Sequence, residues 1–367
     1  MFIKQNSKKN HSYFMSLALN QAYINLGQTK ENPSVGCVIV NNNNVVSAAC
    51  TSINGRPHAE QNAIKLLKKK LNNLSIYITL EPCSNYGLTP PCVKEIVKKK
   101  INNVFFSIKD SDLRSYNKSI QTFKKYKINV NTGILSDEVN HFYRSYNKQK
   151  RNKFPFITSK LAISKDFFTI NKKNKYITNE FSRGRVHLMR AQHDSILTTS
   201  KTINDDNPLL NCRIEGLGHR SPSRIILDKN LVIKSNSKIF STTVNCETLV
   251  FYNKINVKKA MTLKKMNVKL FWTPLDIDGN LDLKKILIKV KNLGFNRILI
   301  ESGIKLNLNL LKLNLIDDLE LFISSTKLNT NGRGSFKENF NFFLKKRNFV
   351  KKNVNLLGDQ LITYKLK

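Results

Sequence analysis

Apolar positions along this chain form two successive series in which strand-like and helix-like segments alternate. In residues 11–26, Phe14, Met15, Ala18, Leu19, Ala22, Tyr23 and Leu26 share one stripe of period 3.6, which predicts an amphipathic helix; Gly27 suits its C-terminal cap. Asn32-Pro33 breaks the chain. Residues 35–40 predict a buried strand, the asparagines at 41–44 a hairpin turn, and residues 45–50 its partner. Further helices are expected at 58–71, 92–100, 119–127 and 137–146, and strands at 76–80, 104–108 and 128–130. Such alternation argues an α/β layered domain.

Gln149-Lys150-Arg151-Asn152-Lys153 is polar and basic, and Pro155 follows. It predicts a linker at 148–156 between a first domain over 1–147 and a second over 157–367. The second series expects strands at 156–162, 195–199, 224–227, 248–252, 268–271 and 297–301, with helices at 179–190, 282–292 and 306–314. Residues 318–324 and 360–366 are expected as antiparallel strands closing the sheet.

Composition adds limits. The 367 residues leave room for two domains, each with its own core. No window holds the roughly 18 apolar residues of a membrane span, and the polar, basic start shows no signal-peptide pattern. A cytoplasmic protein without membrane partners is expected. Six cysteines are scattered at 37, 50, 83, 92, 212 and 246, so thiols free for metal are expected instead of a disulfide framework. The net charge of +37 would suit a nucleic-acid partner. Lysine and asparagine, however, run along the whole chain, as an AT-rich coding sequence produces, and are not gathered with aromatics into one patch. No nucleic-acid partner is expected.

The chemistry lies in the first series. His58-Ala59-Glu60 opens one expected helix, Glu81-Pro82-Cys83 ends a strand, and Cys92 opens the next helix. One imidazole and two thiolates give zinc three ligands and leave a place for water. Glu60, two residues after the histidine, is the candidate proton shuttle between that water and a leaving amine. Singly, His58 could cap a helix and Cys83 could be a small buried residue. Together they specify a zinc-dependent deaminase. The short form of that signature spaces its cysteines as P-C-x-x-C, whereas here the eight residues Ser84 to Pro91 intervene.

Those residues resemble the RibD family of bifunctional riboflavin-biosynthesis deaminase–reductases. The resemblance runs through Asn32-Pro33-Ser34-Val35-Gly36, Gly55-Arg56-Pro57-His58-Ala59-Glu60 and the whole stretch from Glu81 to Cys92. It continues through Phe154 to Ala162, Leu188-Met189-Arg190-Ala191, Thr202, Asp206-Asn207-Pro208-Leu209-Leu210, Arg213 and Glu301-Ser302-Gly303. It implies a cytidine-deaminase-like three-layer domain followed by a dihydrofolate-reductase-like domain. It also implies two reactions: zinc-dependent hydrolytic deamination of 2,5-diamino-6-(5-phosphoribosylamino)pyrimidin-4-one, then reduction of the ribosyl group to ribityl by NADPH.

By the same resemblance, His58, Cys83 and Cys92 hold zinc and Glu60 is catalytic. Ala162, Tyr176, Thr202, Asp206 and Gly303 would line the NADPH site. Asn174, Arg190, Leu210, Arg213 and Glu301 would hold the phosphoribosylated pyrimidine, and a homodimer is implied. Some family features are replaced. The insert usually reads Ser-His-His-Gly-Arg-Thr-Pro-Pro; here Asn85, Tyr86 and Leu88 stand for the two histidines and the arginine. The turn Ser-Leu-Asp-Gly-Arg becomes Ser164-Lys165-Asp166-Phe167-Phe168, so a turn that needs positive φ would be strained. Three competing readings follow: a deaminase with a degenerate reductase domain, an RNA-editing type of deaminase that uses the positive charge, and a zinc-stabilised binding module without catalysis.

Overall fold

Alternation along the strands decides the layers of both halves. In the computed structural model, which describes residues 2–67, 71–112 and 114–367, the chain divides into two units, Met1–Asn152 and Lys153–Lys367.

The first unit begins with α1 (Phe2–Ile24), then β1 (Gly36–Asn41), β2 (Asn44–Cys50), α2 (Ala59–Lys65), β3 (Leu74–Leu80), α3 (Cys92–Lys98) and β4 (Asn103–Ile108). It ends with α4 (Lys118–Lys125), β5 (Asn129–Thr132), α5 (Ser136–Phe142) and α6 (Arg144–Arg151). The sheet order is β2-β1-β3-β4-β5, with β1 antiparallel to both neighbours and β3, β4 and β5 parallel. Cys37 and Ile39 pack into one core and Val38 and Val40 into another; Ile76 and Ile78 likewise separate from Tyr77. Successive side chains face opposite ways, so helices cover both faces of the sheet. A Cβ at Gly36 would sit 1.8 Å from the Ala18 carbonyl oxygen, so glycine is what lets α1 lie on β1. The β1–β2 hairpin turns on Asn42 and Asn43, both at positive φ, the geometry that matches strand twist.

The second unit runs β6 (Phe156–Ile163), β7 (Phe168–Asn171), α7 (Glu180–Ala191), β8 (Ser195–Thr199), α8 (Ser200–Asp206), β9 (Ser223–Leu227), β10 (Thr248–Tyr252), α9 (Val257–Lys265) and β11 (Val268–Trp272). It continues with α10 (Leu283–Asn292), β12 (Arg297–Ile300), α11 (Ile304–Lys312), β13 (Asp318–Ile323), β14 (Gly332–Ser335), α12 (Lys337–Phe343), β15 (Phe349–Lys351) and β16 (Gln360–Lys365). Nine strands form one sheet in the order β11-β10-β9-β8-β12-β6-β13-β16-β15. From β11 to β13 every pairing is parallel. Ile226, Val250 and Leu299 pack on one face, and Ile225, Leu249 and Ile298 on the other. The whole chain is thus mixed α/β, two layered units in succession.

The structure departs from the sequence expectations at several points. The helix expected at 137–146 is interrupted at Tyr143, and α6 then runs through the first part of the expected linker, to Arg151. Strand β13 is antiparallel to β16 as expected, but parallel to β6. The α11 crossover between β12 and β13 permits that direction. Polar or mixed segments hid α8, α9 and the separate β7–β14 pair. The tail of the 58–71 helix at 68–70, and Leu113 of the loop after β4, lie outside the described residues.

Candidate functional site

In the first unit, three chain segments meet where strands give way to helices. His58 is the N-cap residue of α2, and its backbone N–H donates to Gln61 Oε1 at 3.2 Å. Cys83 follows β3, and Cys92 is the first residue of α3. His58 Nδ1 lies 3.5 Å from Cys83 Sγ and 3.4 Å from Cys92 Sγ, and the three ligand atoms are all within 4.8 Å of one another. With Zn–S near 2.3 Å and Zn–N near 2.0 Å, a tetrahedral edge from nitrogen to sulfur is about 3.5 Å. The donor set therefore fits zinc in both chemistry and spacing.

The electrostatics of this corner follow from burial and from the start of α3. The Cys92 thiol, helped by His58 and by the Cys92 backbone N–H and opposed by burial, holds the Cys83 thiol well below its ordinary value. That N–H donates to Cys83 Sγ at 3.3 Å, as the first turn of a helix favours. Glu60 is buried, and burial pushes its carboxyl up to about 7. Glu60 Oε2 and His58 Nε2 are buried without a hydrogen-bond partner among the described residues.

Supporting bonds fix the backbone around the ligands. Glu81 accepts from the backbone N–H groups of Asp110, Asn117 and Ser119 and from the Ser119 hydroxyl, at 2.7–3.3 Å. This anchors the strand end that delivers Cys83. Asn62 on α2 donates to Cys50 O and Ser52 Oγ, both at 2.9 Å, and so ties His58's helix to the end of β2. The sequence offered Glu81 only as part of a motif; its anchoring role becomes visible once the loop before α4 folds over it.

In the second unit, the expected residues gather at the carboxyl edge of the parallel strands, the usual ligand edge of such sheets. Ala162 lies near the end of β6. Thr202 is in the first turn of α8, directly after β8, where its backbone N–H donates to Thr199 Oγ1 at 3.2 Å. Glu301 and Gly303 follow β12, and Gly303 is the N-cap residue of α11. β8, β12 and β6 are adjacent, so these residues share one edge. Lys175 Nζ donates to the Asp206 carbonyl at 3.2 Å, which joins the loop of Asn174 and Tyr176 to the end of α8. Tyr176 is exposed, with the Arg183 guanidinium 4.3 Å above its ring.

The substrate set is only partly free to bind. Arg190 makes a two-point pair with Glu301, Nε to Oε1 at 2.7 Å and Nη2 to Oε2 at 2.8 Å, and its Nη1 donates to Asn211 O at 3.0 Å. Although burial pushes the Glu301 carboxyl up, Arg190 and then Lys160 hold it below its ordinary value. Arg213 is exposed and donates to Asn211 Oδ1 at 3.1 Å. Leu210 is buried in the core at positive φ, so its side chain packs inward and only its backbone borders the edge. Asn174 is exposed.

Two residues here escaped the sequence reading. Burial pushes the Lys160 ammonium on β6 down, and Glu301 opposes that shift; a lysine in a strand otherwise without charge was the available signal. His187 accepts at Nδ1 from the Arg213 backbone N–H at 3.2 Å. Burial, then the charges of Arg190 and Arg213, pull it down to about 4. Nothing in its helical spacing marked it.

Comparison with known proteins agrees with this two-part arrangement. Residues 8–108 match the cytidine and deoxycytidylate deaminase zinc-binding region, and residues 155–348 match the RibD C-terminal domain. The riboflavin biosynthesis protein RibD of Buchnera aphidicola is 33% identical, over 85% of this chain and 86% of its own. That of Aquifex aeolicus is 30% identical, over 96% and 97%. The solved structure of Acinetobacter baumannii RibD superposes with a TM-score of 0.81 at 26% identity, covering 98% of this chain and 99% of that one.

Proposed function

The chain belongs to the RibD family, and on that premise we propose that its two units act in turn on one phosphoribosylated pyrimidine. The first removes the 2-amino group of 2,5-diamino-6-(5-phosphoribosylamino)pyrimidin-4-one by hydrolysis. The second reduces the ribosyl group of the product to ribityl with NADPH. The observation that carries this reading is the meeting of His58, Cys83 and Cys92 within 4.8 Å, with Glu60 buried beside them.

His58 Nδ1 and the two sulfurs would hold the metal, which when bound supplies an activated water. Glu60 Oε2, buried without a partner, is the atom placed to hold a proton and pass it to the departing amine. Cys92 N–H and Glu81 keep the ligand loop in register. In the second unit Thr202, Asp206, Ala162, Tyr176 and Gly303 would bind NADPH, the hydride donor. Gly303 would contribute backbone N–H groups at the start of α11. Glu301, Arg190 and Lys160 would orient the sugar. Arg213, the exposed arginine of the set, would take its phosphate with a planar fork.

Zinc content, ammonia release and NADPH oxidation measured on one preparation test the reading. Zinc near one per chain with both activities is the expected result. Ammonia release without NADPH oxidation would leave a deaminase with an inactive second unit. No helix among the described residues is long and apolar enough to cross a membrane. A cytoplasmic homodimer is part of the same proposal, and light scattering on the purified chain tests its stoichiometry.

A further inference from the structure

We infer that Arg56 recognises the substrate's phosphate in the deaminase unit, in place of a cation that the cysteine insert lacks. The inference rests on the deaminase reading above. The ligands and Glu60 fix where the amine-bearing carbon must lie. On that reading the phosphoribosyl arm of the same molecule leaves past residues 84–91, the segment that joins Cys83 to Cys92. In this chain that segment carries Tyr86 and Leu88, 70% and 89% exposed, and no cation of its own.

Arg56 reaches the segment from the opposite side, two residues before His58. Its Nη1 donates to Thr89 Oγ1 at 2.7 Å. Its Nη2 lies 3.3 Å from where a Cβ on Gly87 would stand. The guanidinium thus lies against the insert on both sides of Leu88. It is half-buried and has no carboxylate partner among the described residues. The nearby cation Lys94 is engaged with the Tyr86 hydroxyl at 2.5 Å and with its ring at 4.6 Å. A planar guanidinium, oriented by one hydroxyl and left with unused N–H groups, suits a phosphate, which accepts two parallel bonds. Arg56 thus brings beside the insert a positive charge that residues 84–91 themselves lack.

The test compares ammonia release by the zinc-loaded full chain from the phosphorylated substrate and from its phosphate-free nucleoside. The wild-type chain should prefer the phosphorylated form. Arg56→Gln should lose about tenfold or more of that preference, mainly through KM, as for loss of a charge-assisted hydrogen bond. Zinc content, thermal midpoint and turnover of the nucleoside should stay as in the wild type. Arg56→Lys should be intermediate, and adding Leu88→Arg to Arg56→Gln should restore the preference. A wild type indifferent to phosphate, or an Arg56→Gln chain that loses activity equally on both substrates or on neither, would overturn the assignment. Absence of ammonia release by the zinc-loaded wild type would instead sink the deaminase reading itself, and this inference with it.

Discussion

The metal corner of the first unit and the carboxyl edge of the second are both built where strands end, yet they are held in opposite ways. At the corner, His58 Nδ1 stands 3.5 and 3.4 Å from the Cys83 and Cys92 sulfurs, and the Glu81 and Gln61 side chains, which accept backbone N–H groups, hold the segments there together with the Cys92 N–H on Cys83. Glu60 Oε2 and His58 Nε2 remain unpartnered. At the edge, the strongest polar groups satisfy each other: Arg190 and Glu301 close a two-point pair, and Arg213 leans on Asn211. A metal site must be preformed because its ligands have few alternatives. On the proposed function, the edge would take two large, charged ligands and keep its charges paired until they arrive. The difference teaches that spatial convergence identifies the first site, whereas only shared position on the sheet identifies the second.

The sharpest way to break that contrast is Glu60→Gln. Ammonia release should fall by about 10²–10⁴-fold, as for loss of a general acid–base group, while zinc content and NADPH oxidation of the deaminated substrate persist. Loss of both activities together would show that the two sites are not separately built. Glu301→Ala comes next. It leaves Arg190 and Lys160 without their carboxylate, so the second unit should lose about 3–5 kcal/mol, read as a lower denaturant midpoint, with reductase activity lost and zinc content kept.

A smaller effect concerns pH. Burial pushes Asp194 up to about 6, even though it accepts backbone N–H bonds from Asn296 at 2.6 Å and Arg297 at 2.9 Å. The folded chain then holds this proton more tightly than the unfolded chain, whose aspartate titrates near 3.9. This contribution to stability is therefore greatest below about pH 4 and is lost as pH rises through about 6, by up to about 2–3 kcal/mol. Asp194→Asn should remove that slope from denaturant titrations between those pH values. An unchanged slope would assign it to another group.

The smallest effect concerns the turn of Phe167. Phe167 stands at φ 70 where the family turn has glycine, a conformation that strains a bulky residue. It also packs on Phe340, with ring centroids 5.0 Å apart. Phe167→Gly and Phe167→Ala both lose the ring, but only glycine relieves the backbone. The alanine variant should therefore be less stable by about 1 kcal/mol. Equal midpoints would mean that the turn relaxes.

Much of this was legible in the chain itself. The 35–40 run read as a buried strand and the 76–80 run as a strand, both nearly unbroken in apolar character because β1 and β3 are covered on both faces. His58, Glu60, Cys83 and Cys92 were legible because zinc chemistry allows few residue types and their spacing follows element ends. The break at Tyr143 was not legible. That side chain is buried and its hydroxyl is bonded to Thr79 and to Ser34 O, a tertiary demand that helical periodicity does not record. Short α8 and α9 were missed because two buried positions in each leave no clear stripe.

By itself, then, the sequence determined the layered α/β character, the division into two series and the candidate metal donors. Each depends on local periodicity or on residue chemistry. The tertiary structure alone decided that β13 runs parallel to β6, that Arg190 is committed to Glu301 while Arg213 stays exposed, and that Arg56 lies along the insert on either side of Leu88. Those are contacts between residues some 30 to 160 positions apart. Their partners are chosen by how covered sheets and their loops pack, and no short-range pattern in the chain encodes that choice.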